Sequence, residues 1–155
     1  MITLEVAGIR LLSPEDSPVL LLQEQGGTRC LPIWIGSQEA AAIASSLEGE
    51  EHERPMTHDL LALTLQKLSP EGRVIIQDIE DGIYHAVLEI GGEVLEARPS
   101  DLVAVAVRTG WPITCPTALM DQVGVEVEPV QTDEVEAFRA FLDSVNADDF
   151  EDENP

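Results

Sequence analysis

Apolar positions recur along the chain at two periods, and the switches between them mark its elements. Residues 2–12 (ITLEVAGIRLL) alternate apolar and mixed positions, as a strand does. The SPEDSP stretch (13–18) then reads as a turn. VLLLQEQ (19–25) and RCLPIWI (29–35) are two further strands, joined by the hairpin glycines 26–27. The period changes at GSQEAAAIASSLEG (36–49). Ser37 as a cap, Glu39 in the first turn, four alanines and a closing Gly49 predict a helix. EEHE (50–53) is a charged loop. A second helix is expected over about 58–68, with Leu61, Leu65 and Leu68 on one face, and SPEG (69–72) ends it. RVIIQDIE, GIYHAVLEI and EVLEA, joined at DG (81–82) and GG (91–92), form a three-stranded meander.

RPSDLVAVAVRTG (98–110) satisfies both periods. Val103, Val105 and Val107 alternate with alanines like a strand. Ser100 as a cap, Asp101 in the first turn, Arg108 in the last turn and Gly110 after it describe a helix, and a fully buried helix is the reading adopted. PITC (112–115) is a short strand. Residues 132–145 form a C-terminal amphipathic helix, with Asp133 and Glu136 at capping-box spacing and Val135, Phe138 and Leu142 as its apolar stripe. The expected fold is α+β: a mainly antiparallel sheet with three packed helices over residues 1–120. Residues 121–155 add an acidic extension carrying the last helix and a disordered tail.

The 155 residues suffice for one domain with its own core, and 44% hydrophobic content excludes wholesale disorder. No apolar run approaches the roughly 20 residues of a membrane span, and no secretory signal is visible, so a cytoplasmic protein is expected. Cys30 and Cys115 stand alone, without a second cysteine or a histidine at zinc-ligand spacing. The net charge of −22 sets 30 acids against one lysine and seven arginines. It weighs against nonspecific binding to long nucleic acid, which needs a basic footprint. Residues 121–155 alone hold 12 acids and Arg139, a balance of −11.

Two helix starts resemble each other. Arg54-Pro55 precedes Thr57, His58 and Asp59; Arg98-Pro99 precedes Ser100 and Asp101. Each sets an arginine beside a hydroxyl residue and a carboxylate at a helix N-terminus, where free N–H groups and the dipole favour anions. A guanidinium adds a forked donor suited to phosphate. If the two starts face each other, Arg54, Thr57, Arg98 and Ser100 form an anion niche. His58 then shuttles a proton, and Asp59 and Asp101 orient it or hold a divalent ion. The bland alternative is ordinary capping, with the arginines paired to the carboxylates. His52 reads as exposed loop, His85 as a sheet-face residue, and Trp34 and Trp111 as core or interface. No phosphate-loop, GxSxG or HExxH motif is present.

LPIWIGSQEAAAIASSLEG, RPMTHDLL, DGIYHAVLEI and ARPSDLVAVAVRTGWPI, in that order, resemble the bifunctional nuclease family over about residues 1–120. The matching polar positions are Glu39, Arg54, Thr57, His58, Asp59, Arg98, Ser100, Asp101 and Arg108, and the acidic extension is similar to that of actinobacterial members. The resemblance implies a compact α+β domain that assembles as a homo-oligomer and cleaves RNA or DNA, with catalytic His58, Asp59 and Asp101. The alternative is a non-catalytic homo-oligomeric module that binds a small phosphorylated ligand or a protein partner. A third reading makes the Arg-Pro motifs purely structural.

Overall fold

The computed structural model describes residues 1–11, 16–50 and 52–127. The 13–18 turn lies partly outside them, and the 132–145 helix and acidic tail wholly so. Strands β1 (Ile2–Arg10), β2 (Val19–Glu24) and β3 (Arg29–Trp34) form an antiparallel run. Helices α1 (Ser37–Leu47) and α2 (Thr57–Leu68) follow, then the meander β4 (Gly72–Glu80), β5 (Ile83–Ile90) and β6 (Glu93–Ala97). The ambiguous valine–alanine segment is α3 (Pro99–Thr109). The chain continues through β7 (Ile113–Cys115), α4 (Thr117–Val123) and β8 (Val125–Glu126).

One sheet takes all eight strands in the order β6-β5-β4-β7-β1-β2-β3-β8. β7 joins the two halves: it runs antiparallel to β1 and parallel to β4. The fold is therefore α+β with a mostly antiparallel sheet. Both meander turns have two consecutive residues at positive φ, Asp81-Gly82 (52° and 78°) and Gly91-Gly92 (55° and 79°). Such turns match the twist of the strands they join.

α3 is the hub of the helical side. Leu102 through Ala106 are all buried, and the helix packs on β4 and β5 with α1 and α2 against it. An amphipathic stripe could not satisfy contacts on so many sides, which is why its pattern mimics a buried strand. Ile43 of α1, Leu65 of α2, Leu119 and Met120 of α4, and the inward residues of the sheet complete one core. On β2, Leu20 and Leu22 enter that core, while Val19 and Leu21 join Cys30 in a smaller cluster against Val127.

Several expectations are corrected. Ser37, Thr57 and Ser100 are not caps. The N-caps are Gly36, Met56 and Arg98, and no side chain caps α1 or α3. At α3 the proline decides: Pro99 takes the first helical position that its fixed φ favours, so Arg98 becomes the cap. At α2 Asp59 decides, because its Oδ2 accepts the Met56 N–H at 2.9 Å and so becomes the third helical residue. The α2 stripe also differs. Leu65 is buried, but Leu61 is 41% and Leu68 76% exposed. The inward face is His58, Ala62 and Leu65, because an alanine lets α2 come close to α3. Trp111 is core, 8% exposed, whereas Trp34 is 61% exposed at the end of β3. α4 and β8 were not expected. α4 spans only two turns, and β8 lies past residue 120.

Candidate functional site

The starts of α2 and α3 meet. His58 Nε2 lies 2.9 Å from Asp101 Oδ1, bridging 43 residues of sequence. The reason is local: His58 opens the inward face of α2, and Asp101 occupies the first turn of the helix that α2 packs against. The other oxygen of Asp101 accepts Arg98 Nε at 2.9 Å, and Arg98 Nη2 reaches Glu39 Oε1 at 3.0 Å. The chain of contacts is thus His58–Asp101–Arg98–Glu39, with elements α2, α3 and α1 each contributing. Burial opposes ionisation of Asp101, but its hydrogen bonds to His58 and Arg98 outweigh this and hold its pKa below the ordinary carboxylate value. A carboxylate against Nε2 places the imidazole proton there and leaves Nδ1 as the basic nitrogen.

Glu39 depends on the residue three before it. A Cβ at Gly36 would stand 2.2 Å from Glu39 Oε2, so a side chain there would displace the carboxylate that steadies Arg98.

Asp59 belongs to a second cluster. Its Oδ1 accepts Arg108 Nε at 2.6 Å, and this bond leads the causes that lower its pKa. Arg108, with only 9% of its side chain exposed, also donates to the carbonyls of Ala104 (2.7 Å) and Ala42 (2.9 Å). One guanidinium therefore pins α1, α2 and α3 together immediately beside His58.

The remaining predicted residues fall differently. Arg54 and Thr57 are exposed, and neither side chain makes a hydrogen bond or ion pair to another described residue. Ser100 is 6% exposed and lines an open cleft of about 640 Å³ next to Arg98. Trp34, Tyr84, His85 and Glu96 also line that cleft. His85, a sheet-face residue as expected, donates or accepts through Nδ1 at 2.6 Å from Asp78, and this hydrogen bond raises its pKa. Sequence reasoning missed Trp34 as a cleft residue. The available signal was the apolar alternation of Ile33 and Ile35, which turns the residue between them away from the core. Among the described residues, no group of three His, Cys, Asp or Glu side chains is arranged to hold a metal ion. No helix there is long and apolar enough to cross a membrane.

Comparison with known proteins agrees with this architecture. The bifunctional nuclease domain matches residues 19–128, which takes in the His58–Asp101 pair, Arg98 and the cleft. The chain belongs to the bifunctional nuclease domain family. Two uncharacterized proteins of Mycobacterium tuberculosis, from strains CDC 1551 / Oshkosh and ATCC 25618 / H37Rv, are each 44% identical to it over 156 residues. Those alignments span 94% of this chain and 95% of each relative.

Proposed function

We infer that the protein is a nuclease acting on the phosphodiester bonds of RNA or DNA, with His58, Asp101 and Arg98 as its reactive centre. One observation carries the reading: a carboxylate shared between an imidazole and a largely exposed guanidinium, assembled from segments 43 residues apart. Arg98 is 68% exposed through its side chain and is placed to hold a phosphate. His58 Nδ1 takes a proton from an attacking water. The water oxygen bonds to phosphorus, the bond from phosphorus to the leaving sugar oxygen breaks, and that oxygen is protonated from solvent. Arg98 offsets the charge that builds on the phosphoryl oxygens. Asp59 acts through structure: with Arg108 it fixes the turn of helix from which His58 projects. The −22 charge favours short or single-stranded substrates over duplex.

The test is cleavage of single-stranded RNA and DNA by purified protein beside an Arg98→Ala/His58→Ala double variant. Loss of cleavage in the variant supports the reading; equal cleavage by both preparations overturns it.

A second reading has its own support. Arg98 already carries two acidic partners, Glu39 and Asp101, as it would in a non-catalytic module that binds a small anionic ligand. Thermal stabilisation by nucleotides without turnover favours this alternative. Under either reading the protein is a homo-oligomer. Met56, Leu60 and Leu63, 58%, 59% and 47% exposed at 4- and 3-residue steps, give α2 an apolar outward face.

A further inference from the structure

We propose that the cleft beside Arg98 is a base-binding subsite for single-stranded nucleic acid, with Trp34 as its stacking platform. The proposal deepens the nuclease reading and rests on it for the nature of the ligand.

Trp34 is the observation that needs explaining. It is the larger aromatic type at its most exposed, 61%, on a protein whose other tryptophan is buried in the core. Its neighbours Ile33 and Ile35 are 4% and 6% exposed, so the strand alternation turns the indole away from the core. Gly36 follows with no side chain to cover it. The indole therefore forms one wall of the cleft, and the start of β5 with the end of β6 forms another.

The size and chemistry of the cleft fit one nucleotide. About 640 Å³ lies within the range of small-molecule sites. Among the described residues, Arg98 is the only arginine or lysine lining it, and the same side chain contacts Asp101, the partner of His58. A phosphate on Arg98 would therefore sit between the reactive centre and the cleft, and the base attached to it would reach the indole. His85 is held through Nδ1 by Asp78 and keeps Nε2 for a ligand, while Glu96 offers an acceptor on the same wall. Stacking suits a protein of this charge. It adds affinity that does not depend on many cationic contacts, and every base has a face to offer. A duplex hides those faces, so the subsite selects single strands.

The experiment measures binding separately from cleavage. The protein carries His58→Ala so that the probe survives, and intrinsic fluorescence follows titration with a single-stranded hexanucleotide or with an abasic hexamer bearing the same phosphates. Stacking quenches Trp34, and buried Trp111 supplies a constant background. Adding Trp34→Ala is expected to weaken hexanucleotide binding about 5- to 100-fold, read by anisotropy of a labelled probe, and Trp34→Phe to retain most of it. The abasic hexamer should bind weakly to all three. Equal affinity for both probes, or no effect of Trp34→Ala in a variant whose thermal unfolding is unchanged, overturns the subsite. The two readings fail separately. Trp34-dependent binding with no cleavage by the unsubstituted protein removes the nuclease reading and leaves the subsite standing. Cleavage unaffected by Trp34→Ala removes only the subsite.

Discussion

The two oxygens of Asp101 divide their work between His58 and Arg98, so a substitution that keeps its shape but removes its charge is the sharpest probe of that residue. Asp101→Asn can present its amide to Nε2 and reverse the tautomer, leaving Nδ1 protonated and unable to accept. Cleavage should fall by roughly 10²- to 10⁴-fold, with a smaller change in substrate affinity; a kcat within a few-fold of the unsubstituted enzyme would contradict the assignment. A purely structural residue offers a control. A Cβ on Gly72 would meet the Trp111 ring at 2.6 Å, in a ring that also donates its indole N–H to Pro70 O at 3.3 Å. Gly72→Ala should cost about 1–3 kcal/mol of stability, measured by denaturant unfolding, and leave activity per folded molecule unchanged. Single residues were legible in the sequence where their chemistry is local. Arg98, His58 and Asp101 stood out by motif. Their meeting did not, because nothing in the periodicity says which way α2 faces. The cap positions were misread for a similar reason: Thr57 and Ser100 have the right chemistry, but Asp59 and Pro99 set the frame.

At the scale of elements, Arg108 holds the helical side together. Its three bonds join the α2 carboxylate of Asp59, the α1 carbonyl of Ala42 and its own helix. Arg108→Ala leaves those acceptors without their donor and should destabilise the fold by roughly 2–4 kcal/mol. Arg108→Lys should recover little, since a point charge cannot span the three directions; full recovery would show that charge alone suffices. The Asp59 side of the same contact predicts a pH dependence. Its folded pKa lies below its unfolded value, so the stability it contributes is present above about pH 4 and is lost as pH falls through the folded pKa. Asp59→Asn should therefore lower the melting temperature at pH 7, and the gap should close in acid. A gap of constant size down to pH 2 would contradict this account. Element types were readable from the sequence, since hairpin dipeptides and strand alternation act locally. Even α3, read as a buried helix, was settled by its ends rather than its middle. α4 escaped because two turns give a 3.6-residue period too little length to register.

Across the whole molecule, the fold gathers its arginines into contacts with carboxylates while the surface stays strongly acidic. Arg29 pairs with Glu24 and Asp121, Arg73 with Glu89, Arg98 with Asp101 and Glu39, and Arg108 with Asp59. Long-range attraction of nucleic acid is absent from such a surface, and recognition falls to the short-range contacts of Arg98 and the cleft. The outward face of α2 bears on assembly. Light scattering should give a particle larger than the 16.8 kDa chain, and a Leu60→Glu/Leu63→Glu variant should shift it towards that mass. A monomer before substitution would remove the oligomer from the account. None of this was legible in composition, which reports the sum of charges and not their pairing.

The most direct test of the central claim is single-turnover cleavage of a labelled single-stranded oligonucleotide by the native sequence and by His58→Gln, purified alike and matched for folded fraction. The account predicts that His58→Gln loses at least about 100-fold in rate. Indistinguishable rates would show that the imidazole held by Asp101 takes no part in breaking the phosphodiester bond.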